Sequence, residues 1–243
     1  MALTIAGSDS SGGAGVQADL RTFWELGVRG ASAITALTCQ NESEILGTQV
    51  ASEVIVGLQI EAVCDEVRPR AVKTGMMANS PIIAVVAHVL AQRRLRNIVV
   101  DPVIMSSSGH RLLSERGVET MFEELLPIAT LITPNLDEAS VLLGEGPICN
   151  VEQMRLAARL LAANFDAAVL VKGGHLPGHE PAVDVLCIKG RLHEFRSPRV
   201  ASRKIHGSGC IYSAAIAAWL ARGESLVEAV RKAKSYVTAQ FKR

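Results

Sequence analysis

The spacing of apolar positions changes repeatedly along this chain. Short β-branched runs give way to longer stretches in which apolar residues recur every three or four positions. Leu3-Thr4-Ile5-Ala6 reads as a first strand, followed by a Gly/Ser loop and a helix over 16–26. A strand over 31–37 is predicted next, then a helix over 53–67 with Val54, Leu58, Ala62 and Val63 on one side. Ala71-Val72-Lys73-Thr74 is a strand, followed by a helix over 81–93. Asn97-Ile98-Val99-Val100-Asp101 is a strand ending in an acid. An apolar run over 129–132 precedes Pro134, and a helix follows through Leu143. Residues 154–163 are predicted helical and 167–171 a strand, while 183–188 and 191–195 form a hairpin around Lys189-Gly190. Two helices close the pattern, over 211–221 and 226–240.

Strands that alternate with helices make βαβ crossovers, so the pattern predicts an α/β fold with a mainly parallel sheet and helices on both faces. Such sheets bind ligands beyond the carboxyl ends of their strands. Thr74-Gly75-Met76, Asp101-Pro102-Val103, Pro134-Asn135 and Lys172-Gly173-Gly174 each follow a strand-like run and point to one rim. No linker, low-complexity tract or repeat interrupts the pattern, and 1–243 is read as a single domain.

Composition removes several classes. Apolar residues make up 49% of the chain, yet no apolar run reaches the roughly 18 residues of a membrane span. Met1-Ala2-Leu3-Thr4-Ile5 lacks a basic leader, so no signal peptide and no membrane partner are expected. A net charge of +1, no basic tract and 4% aromatics leave no stacking surface for nucleic acid. The five cysteines are scattered, with no C-x-x-C pair, which suggests neither a zinc knuckle nor a disulfide framework. The expected compartment is the reducing cytoplasm.

The most telling stretch is His206-Gly207-Ser208-Gly209-Cys210, a glycine-rich turn running into an apolar, alanine-rich helix. The backbone N–H groups of Ser208, Gly209 and Cys210 can converge there, and the helix dipole adds positive charge, so the turn suits an anion. A cysteine at that point is expected to have a lowered pKa and to take a proton from a substrate. Phosphoryl transfer is the first candidate chemistry.

Other residues carry two readings each. Gly7-Ser8-Asp9-Ser10-Ser11-Gly12-Gly13-Ala14-Gly15 fits neither nucleotide-loop motif. It is a flexible β-to-α turn or a loop approaching a small ligand, with Asp19 one helical turn on and facing that ligand. Lys172 is a solvated strand end or a cation beside phosphate oxygens. Asp101 starts a turn before Pro102 or belongs to a metal site. Asn135 and Glu138 make a capping box or reach a Mg²⁺ shell through water. Gln40 reads the edge of a heteroaromatic ring or caps a turn. Met76 and Met77 are core filler or substrate contacts.

Taken together these segments resemble a known family. Residues 6–19 look like the opening of the hydroxymethylpyrimidine/phosphomethylpyrimidine kinases of thiamine biosynthesis. So do 33–41, Val72-Lys73-Thr74-Gly75-Met76, Asp101-Pro102-Val103, Thr133-Pro134-Asn135-Leu136-Asp137-Glu138-Ala139, Val171-Lys172-Gly173-Gly174-His175 and the turn at 206–210. The motifs keep the family's order over nearly the whole chain. The resemblance implies a ribokinase-like three-layer α/β/α fold and ATP-dependent phosphorylation of 4-amino-5-hydroxymethyl-2-methylpyrimidine and of its monophosphate. It implies that Gln40, Gly7, Asp19, Met76 and Val103 bind the pyrimidine. Cys210 and Lys172 are implied as catalytic with the turn Gly207, Ser208 and Gly209; Lys172, Asn135 and His206 as ATP contacts; and Asp101 and Glu138 as acids of the Mg²⁺ and phosphate region. A homodimer is also expected.

The chain departs from the family at a few places. Ser208 stands where threonine is usual, Ser106-Ser107-Ser108-Gly109-His110 is unusually serine-rich, and the helical pattern runs to Arg243, where relatives often continue. The runner-up is a pyridoxal or pyridoxine kinase of the same fold. A non-catalytic pyrimidine or nucleotide sensor is a third reading, which the set Asp101, Glu138, Lys172 and Cys210 disfavours.

Overall fold

The computed structural model describes residues 1–41, 44–106, 109, 111–174, 176, 178, 181–199 and 207–241. In chain order its elements are β1 (Ala2–Asp9), α1 (Gly15–Glu25), β2 (Gly30–Gln40), β3 (Ile45–Val50), α2 (Glu53–Glu66), β4 (Ala71–Thr74), α3 (Ser80–Gln92), β5 (Ile98–Val100) and α4 (Glu115–Thr120). There follow β6 (Leu131–Ile132), α5 (Leu136–Leu143), α6 (Val151–Phe165), β7 (Ala168–Lys172), β8 (Ala182–Ile188), β9 (Arg191–Ser197), α7 (Ser208–Ala221) and α8 (Leu226–Gln240).

Several helices begin where a short polar side chain can satisfy an orphan N–H group. Ser52, Asn79, Ser114, Asn150 and Ser225 each accept from the backbone N–H three residues on. The strands form one sheet in the order β3-β2-β1-β4-β5-β6-β7-β8-β9. β2, β1, β4, β5, β6 and β7 run parallel, while β3 pairs antiparallel with β2, β8 with β7, and β9 with β8. Every residue of β4, β5 and β6 is buried, as a parallel strand covered on both faces requires.

Two apolar cores lie against the sheet. One joins Val72, Val100 and Val171 to Ile60, Val86, Leu125 and Leu161 of the helices on that side. The other joins Val99, Leu131 and Leu170 to Phe23 of α1, Ala215 and Ile216 of α7, and Val230 and Ala233 of α8. α7 is buried along nearly its whole length between the sheet and α1 and α8. Its small alanines allow that close approach on more than one side, and the buried run from Ile211 onward carries the half-buried first turn at its start.

The α/β fold with a mainly parallel sheet and helices on both faces is as expected. Three differences matter. β1 continues through Asp9, with a register shift between Ala6 and Ser8, so Gly7 sits at an irregularity within a strand rather than in a loop. β2 likewise reaches Gln40. The antiparallel edge strand β3, and α4 with the π and 3₁₀ turns over Met121–Leu125 and Leu126–Ile128, were not anticipated.

Candidate active site

The first loop is built by one carboxylate. Asp9 Oδ1 accepts from the Ser11 N–H at 2.9 Å and the Ser11 hydroxyl at 2.8 Å, and Oδ2 accepts from the Ala14 N–H at 2.8 Å. Gln17 of α1 ties the loop down from the other side. Its Oε1 accepts from the Asp9 N–H at 3.0 Å and its Nε2 donates to Ser8 Oγ at 2.7 Å. The loop is therefore folded onto itself, and its glycines serve backbone contact. Gly15 has φ +59°, and a Cβ there would stand 2.3 Å from the Gly7 carbonyl oxygen.

The glycine turn meets this loop. α7 starts at Ser208, with Gly207 at φ +75° as its cap and no side chain capping it. The Ile211 N–H bonds back to the Gly207 carbonyl at 2.9 Å. The N–H groups of Ser208, Gly209 and Cys210 therefore precede the helix ladder, with no partner for them among the described residues, and the dipole of a fourteen-residue helix stands behind them. A Cβ on Gly207 would lie 2.3 Å from the Gly13 carbonyl oxygen, so the turn and the first loop pack backbone to backbone.

Lys172 ends β7 and brings its charge to this turn: the space where a Gly209 Cβ would sit is 3.4 Å from Lys172 Nζ. The ammonium donates to Asp101 Oδ1 at 2.7 Å. Thr133 donates to the same oxygen at 3.2 Å and Ser213 of α7 to Oδ2 at 3.1 Å. Burial pushes against the ionised Asp101, but Lys172 and Lys73 together hold its carboxyl below the usual value. Burial likewise opposes the Lys172 cation, and Asp101 and Glu138 more than offset it, so Lys172 remains charged. Of the readings left open for Lys172, the solvated strand end is thus excluded. Asp101 is primarily its ion partner, with both carboxylate oxygens engaged.

Asn135 and Glu138 form the complete capping box of α5. Glu138 donates its N–H to Asn135 Oδ1 at 2.9 Å, and Glu138 Oε2 accepts from the Asn135 N–H at 2.8 Å. The box does not exhaust Glu138. Its carboxyl is buried and pushed up to about 7, first by burial, against the pull of Lys172 and with further repulsion from Asp101. A buried acid poised near neutrality beside a cation and a second acid is the kind of group that perturbed sites contain.

Cys210 corrects one expectation. Its thiol is pushed up to about 11, not down. Loss of solvent dominates, and the attraction of Lys73 and a hydrogen bond from the Gly15 N–H only partly offset it. Asp19 is fully buried, and its Oδ2 accepts from Thr4 at 2.6 Å and from Lys73 Nζ at 2.8 Å. Its Oδ1 has no hydrogen-bond partner among the described residues.

The pyrimidine-side residues gather in part. Met76 is half-buried, and its Sδ lies 3.1 Å from where a Gly7 Cβ would be, so these two meet. Gln40 ends β2 with its backbone N–H and carbonyl both bonded at 2.8 Å to the Ser10 hydroxyl. Thr38 Oγ1 reaches the half-buried Gln40 side chain at Oε1, at 3.4 Å. Met77 is core, as its bland reading held. Val103 is half-buried two residues past Asp101, to whose carbonyl its N–H bonds at 2.8 Å. His206, Ser107, Ser108, His110 and His175 lie outside the described residues.

Sequence reasoning missed Lys73, Asp9 and Ser213. A lysine inside a four-residue strand flanked by apolar residues was the available signal for the first, since a buried ammonium demands a partner. Among the described residues no group of three or more His, Cys, Asp or Glu side chains is arranged to hold a metal ion. What the rim assembles is a cation, a helix N-terminus, two acids and a thiol.

The same residues place the chain among known proteins. The profile of one family, described as phosphomethylpyrimidine kinase, matches residues 9–243. A hydroxymethylpyrimidine/phosphomethylpyrimidine kinase of Rhizobium meliloti is 45% identical over 239 residues, 98% of this chain and 89% of that protein. A thiamine biosynthesis bifunctional protein of Geobacter sulfurreducens is 43% identical over 240 residues, 99% of this chain. The chain spans 49% of that longer protein. The ADP complex of Bacillus subtilis pyridoxal kinase matches with a TM-score of 0.90 at 38% identity, covering 98% of this chain and 90% of that one.

Proposed function

The chain belongs to the phosphomethylpyrimidine kinase family, and we propose that it moves the terminal phosphoryl group of ATP onto the hydroxymethyl oxygen of 4-amino-5-hydroxymethyl-2-methylpyrimidine. In a second round it phosphorylates the monophosphate, which supplies the pyrimidine diphosphate for thiamine biosynthesis. The carrying observation is that Lys172 and Cys210 converge at the uncapped N-terminus of α7.

Phosphoryl transfer asks mainly for position and charge stabilisation. The alcohol oxygen bonds to the γ-phosphorus as the bond to ADP breaks, and the alcohol proton must leave. The N–H groups of Ser208, Gly209 and Cys210 and the ammonium of Lys172 face the equatorial oxygens, and Asp101 keeps that ammonium aimed. Cys210 Sγ receives the proton. Because burial pushes its thiol up to about 11, the reacting form is a small thiolate fraction, a stronger base than an ordinary thiolate. Asn135 and His206 stand on the nucleotide side of this reading.

Mg²⁺ fits the donor set. Glu138 is a buried acid beside a second one, Asp101, and among the described residues the rim forms no cage of three His, Cys, Asp or Glu side chains, which suits an ion that arrives with nucleotide and keeps its waters. Glu138 and Asp101 would hold it through those waters. When bound it would neutralise charge on the phosphate oxygens.

Glu138→Gln separates the two roles of that residue, because glutamine can still close a capping box. The variant is expected to need more Mg²⁺ for half-maximal rate and to turn over more slowly, while it melts no lower than the parent. The pH sign follows from a raised carboxyl. Its stabilising share is full below the ordinary pKa of 4.5 and is lost as pH rises through about 7. Ligand-free parent protein should therefore melt lower at pH 8 than at pH 5, with a smaller decline in Glu138→Gln. Unchanged Mg²⁺ dependence with full activity would leave Glu138 only its cap.

Gln40 is proposed to read the pyrimidine edge by paired hydrogen bonds. A wrong ligand would leave buried polar groups unpaired, so discrimination is strong. Gln40→Leu should raise the Kd for the pyrimidine alcohol at least tenfold in calorimetry and leave ATP affinity within about twofold. Equal loss of both would assign Gln40 a structural role.

The likeness to pyridoxal kinase keeps one second reading, a hydroxymethyl pyridine as alternative alcohol. Mass spectrometry of products from ATP with each alcohol tests the main proposal directly. One and then two phosphoryl groups on the pyrimidine support it, and exclusive use of pyridoxal overturns it. The described chain is further proposed to act as one kinase domain in the cytoplasm, consistent with five free cysteines. It is proposed to act as a homodimer that covers the exposed Leu46 and Val50 of edge strand β3 and Val54, Ile55 and Leu58 of α2.

A further inference from the structure

Where β7 ends, two opposite charges face each other and do not join. Lys172 lies directly opposite Asp184 of β8 in the antiparallel ladder. Leu170 and Leu186, the pair two residues further in, both face the core shared with α7 and α8. Strand alternation puts Lys172 and Asp184 on that same face. Opposite charges in such a pair, with Cβ atoms about 5 Å apart, ordinarily attract one another into contact. Among the described residues each takes another partner instead. The Lys172 ammonium bonds to Asp101 at 2.7 Å, and the Asp184 carboxylate to Lys234 of α8 at 2.6 Å.

Asp184 has a task of its own in this place. It is buried, and its Oδ1 accepts from the Gly173 N–H at 3.0 Å. Gly173 follows Lys172, and the chain there runs so close to β8 that a Cβ would stand 2.2 Å from the Val183 carbonyl oxygen. The ladder ends at the Lys172–Asp184 pair, so the carboxylate supplies the acceptor that this buried N–H requires. The acid is thereby fixed beside Lys172, and its charge is answered from α8, by Lys234 on Oδ2. Lys172 is left to Asp101 and to the turn, where its Nζ is 3.4 Å from the space of a Gly209 Cβ.

We propose that Lys234 is a positioning residue for Lys172: it neutralises Asp184, the acid that would otherwise draw the Lys172 ammonium across the ladder and away from the anion turn. The proposal rests on Lys172 serving phosphate oxygens at that turn.

Calorimetry with the β,γ-methylene analogue of ATP reads whether phosphate meets Lys172, whichever alcohol the protein phosphorylates. Lys234→Met leaves Asp184 free to capture Lys172. The analogue's Kd should rise about tenfold and kcat fall about as much, as loss of a charge-assisted contact to phosphate does, while KM for the pyrimidine alcohol holds within about twofold. Adding Asp184→Asn removes the competing charge and keeps an oxygen for the Gly173 N–H. Both Kd and kcat should then return to within about threefold of the parent. A packing role for Lys234 predicts no such rescue, since the double variant lacks the same side chain. All assays run well below the lowest melting temperature, because Lys234→Met breaks a buried pair. If that variant does not fold, Lys234→Gln, which still offers Asp184 a hydrogen bond, carries the same prediction. In Lys172→Met the Kd should already be raised, and adding Lys234→Met should raise it no further. Weakened binding in Lys172→Met beside parental Kd and kcat in the Lys234 variant would overturn the proposal, and so would a double variant no better than Lys234→Met. Parental binding in Lys172→Met would overturn the reading of Lys172 beneath it.

Discussion

Cys210→Ala is expected to lower turnover about 10²–10⁴-fold, the usual worth of general-base assistance. The backbone N–H groups of the turn remain, so the Kd for the pyrimidine alcohol should stay within about threefold of the parent in calorimetry. The pH profile sharpens the test. The thiol is held near 11 by burial, with Lys73 pulling it part of the way back. Its thiolate fraction therefore grows about tenfold per pH unit through the neutral range. Parent turnover should climb through pH 7–9 on that slope, and Cys210→Ala should be flat there. Cys210→Asp should recover part of the rate, with a plateau reached at lower pH, because a carboxylate ionises far earlier than this thiol. Near-normal turnover of Cys210→Ala would reduce the residue to packing under α7.

Lys172→Met should cost about 10²–10³ in turnover, as loss of one preorganised charge donor does elsewhere. It should also destabilise the fold, because it strands the buried Asp101 carboxylate, and breaking such a pair typically costs about 3–5 kcal/mol. The two effects can be separated. Lys172→Met with Asp101→Asn removes both charges and leaves Thr133 and Ser213 an uncharged partner, so melting temperature should largely recover while turnover does not. The pH dependence carries a sign as well. In the parent the Asp101 carboxyl lies below its ordinary value, so its stabilising share is present above that value and is lost as pH falls through the lower one. Without Lys172 the larger of the two cations that depress it is gone and Lys73 and Ser213 are left to oppose burial, so the gain in stability as pH rises above the ordinary value should shrink. Recovery of both stability and turnover in the double variant would show that Lys172 only neutralises Asp101.

Much of this architecture was legible because parallel strands buried on both faces must be apolar throughout, and the helices between them must not be. β5, β6 and β7 could be read from that contrast alone. β3 could not. Gly47 breaks its run, and Leu46 is 72% exposed, so neither alternation nor burial marks it. The β-to-α turn after β1 was placed correctly but read as loose, because composition shows its glycines and not the carboxylate of Asp9 that folds it. The burial of Asp19 was legible from its spacing to Val16 and Phe23, both buried on α1, while its lysine partner on a distant strand was not. Cys210 was placed correctly and its acidity misjudged, since a dipole is visible in sequence and the removal of water around a thiol is not. The residues whose roles depend on packing from distant elements, Lys73 and Ser213 among them, were illegible for that reason.

The contact between the first loop and the glycine turn has a consequence for how the protein comes into being. Gly13 and Gly207 meet backbone to backbone, yet nearly the whole chain separates them. β1 itself lies between β2, its successor, and β4, which arrives only after a further helix. High sequence separation between contacts slows folding, because the loop entropy is spent before the contact is gained. The anion turn therefore cannot take its final shape on a ribosome that still holds the last helices. In a growing chain the first loop waits for its backbone partner until α7 has been made.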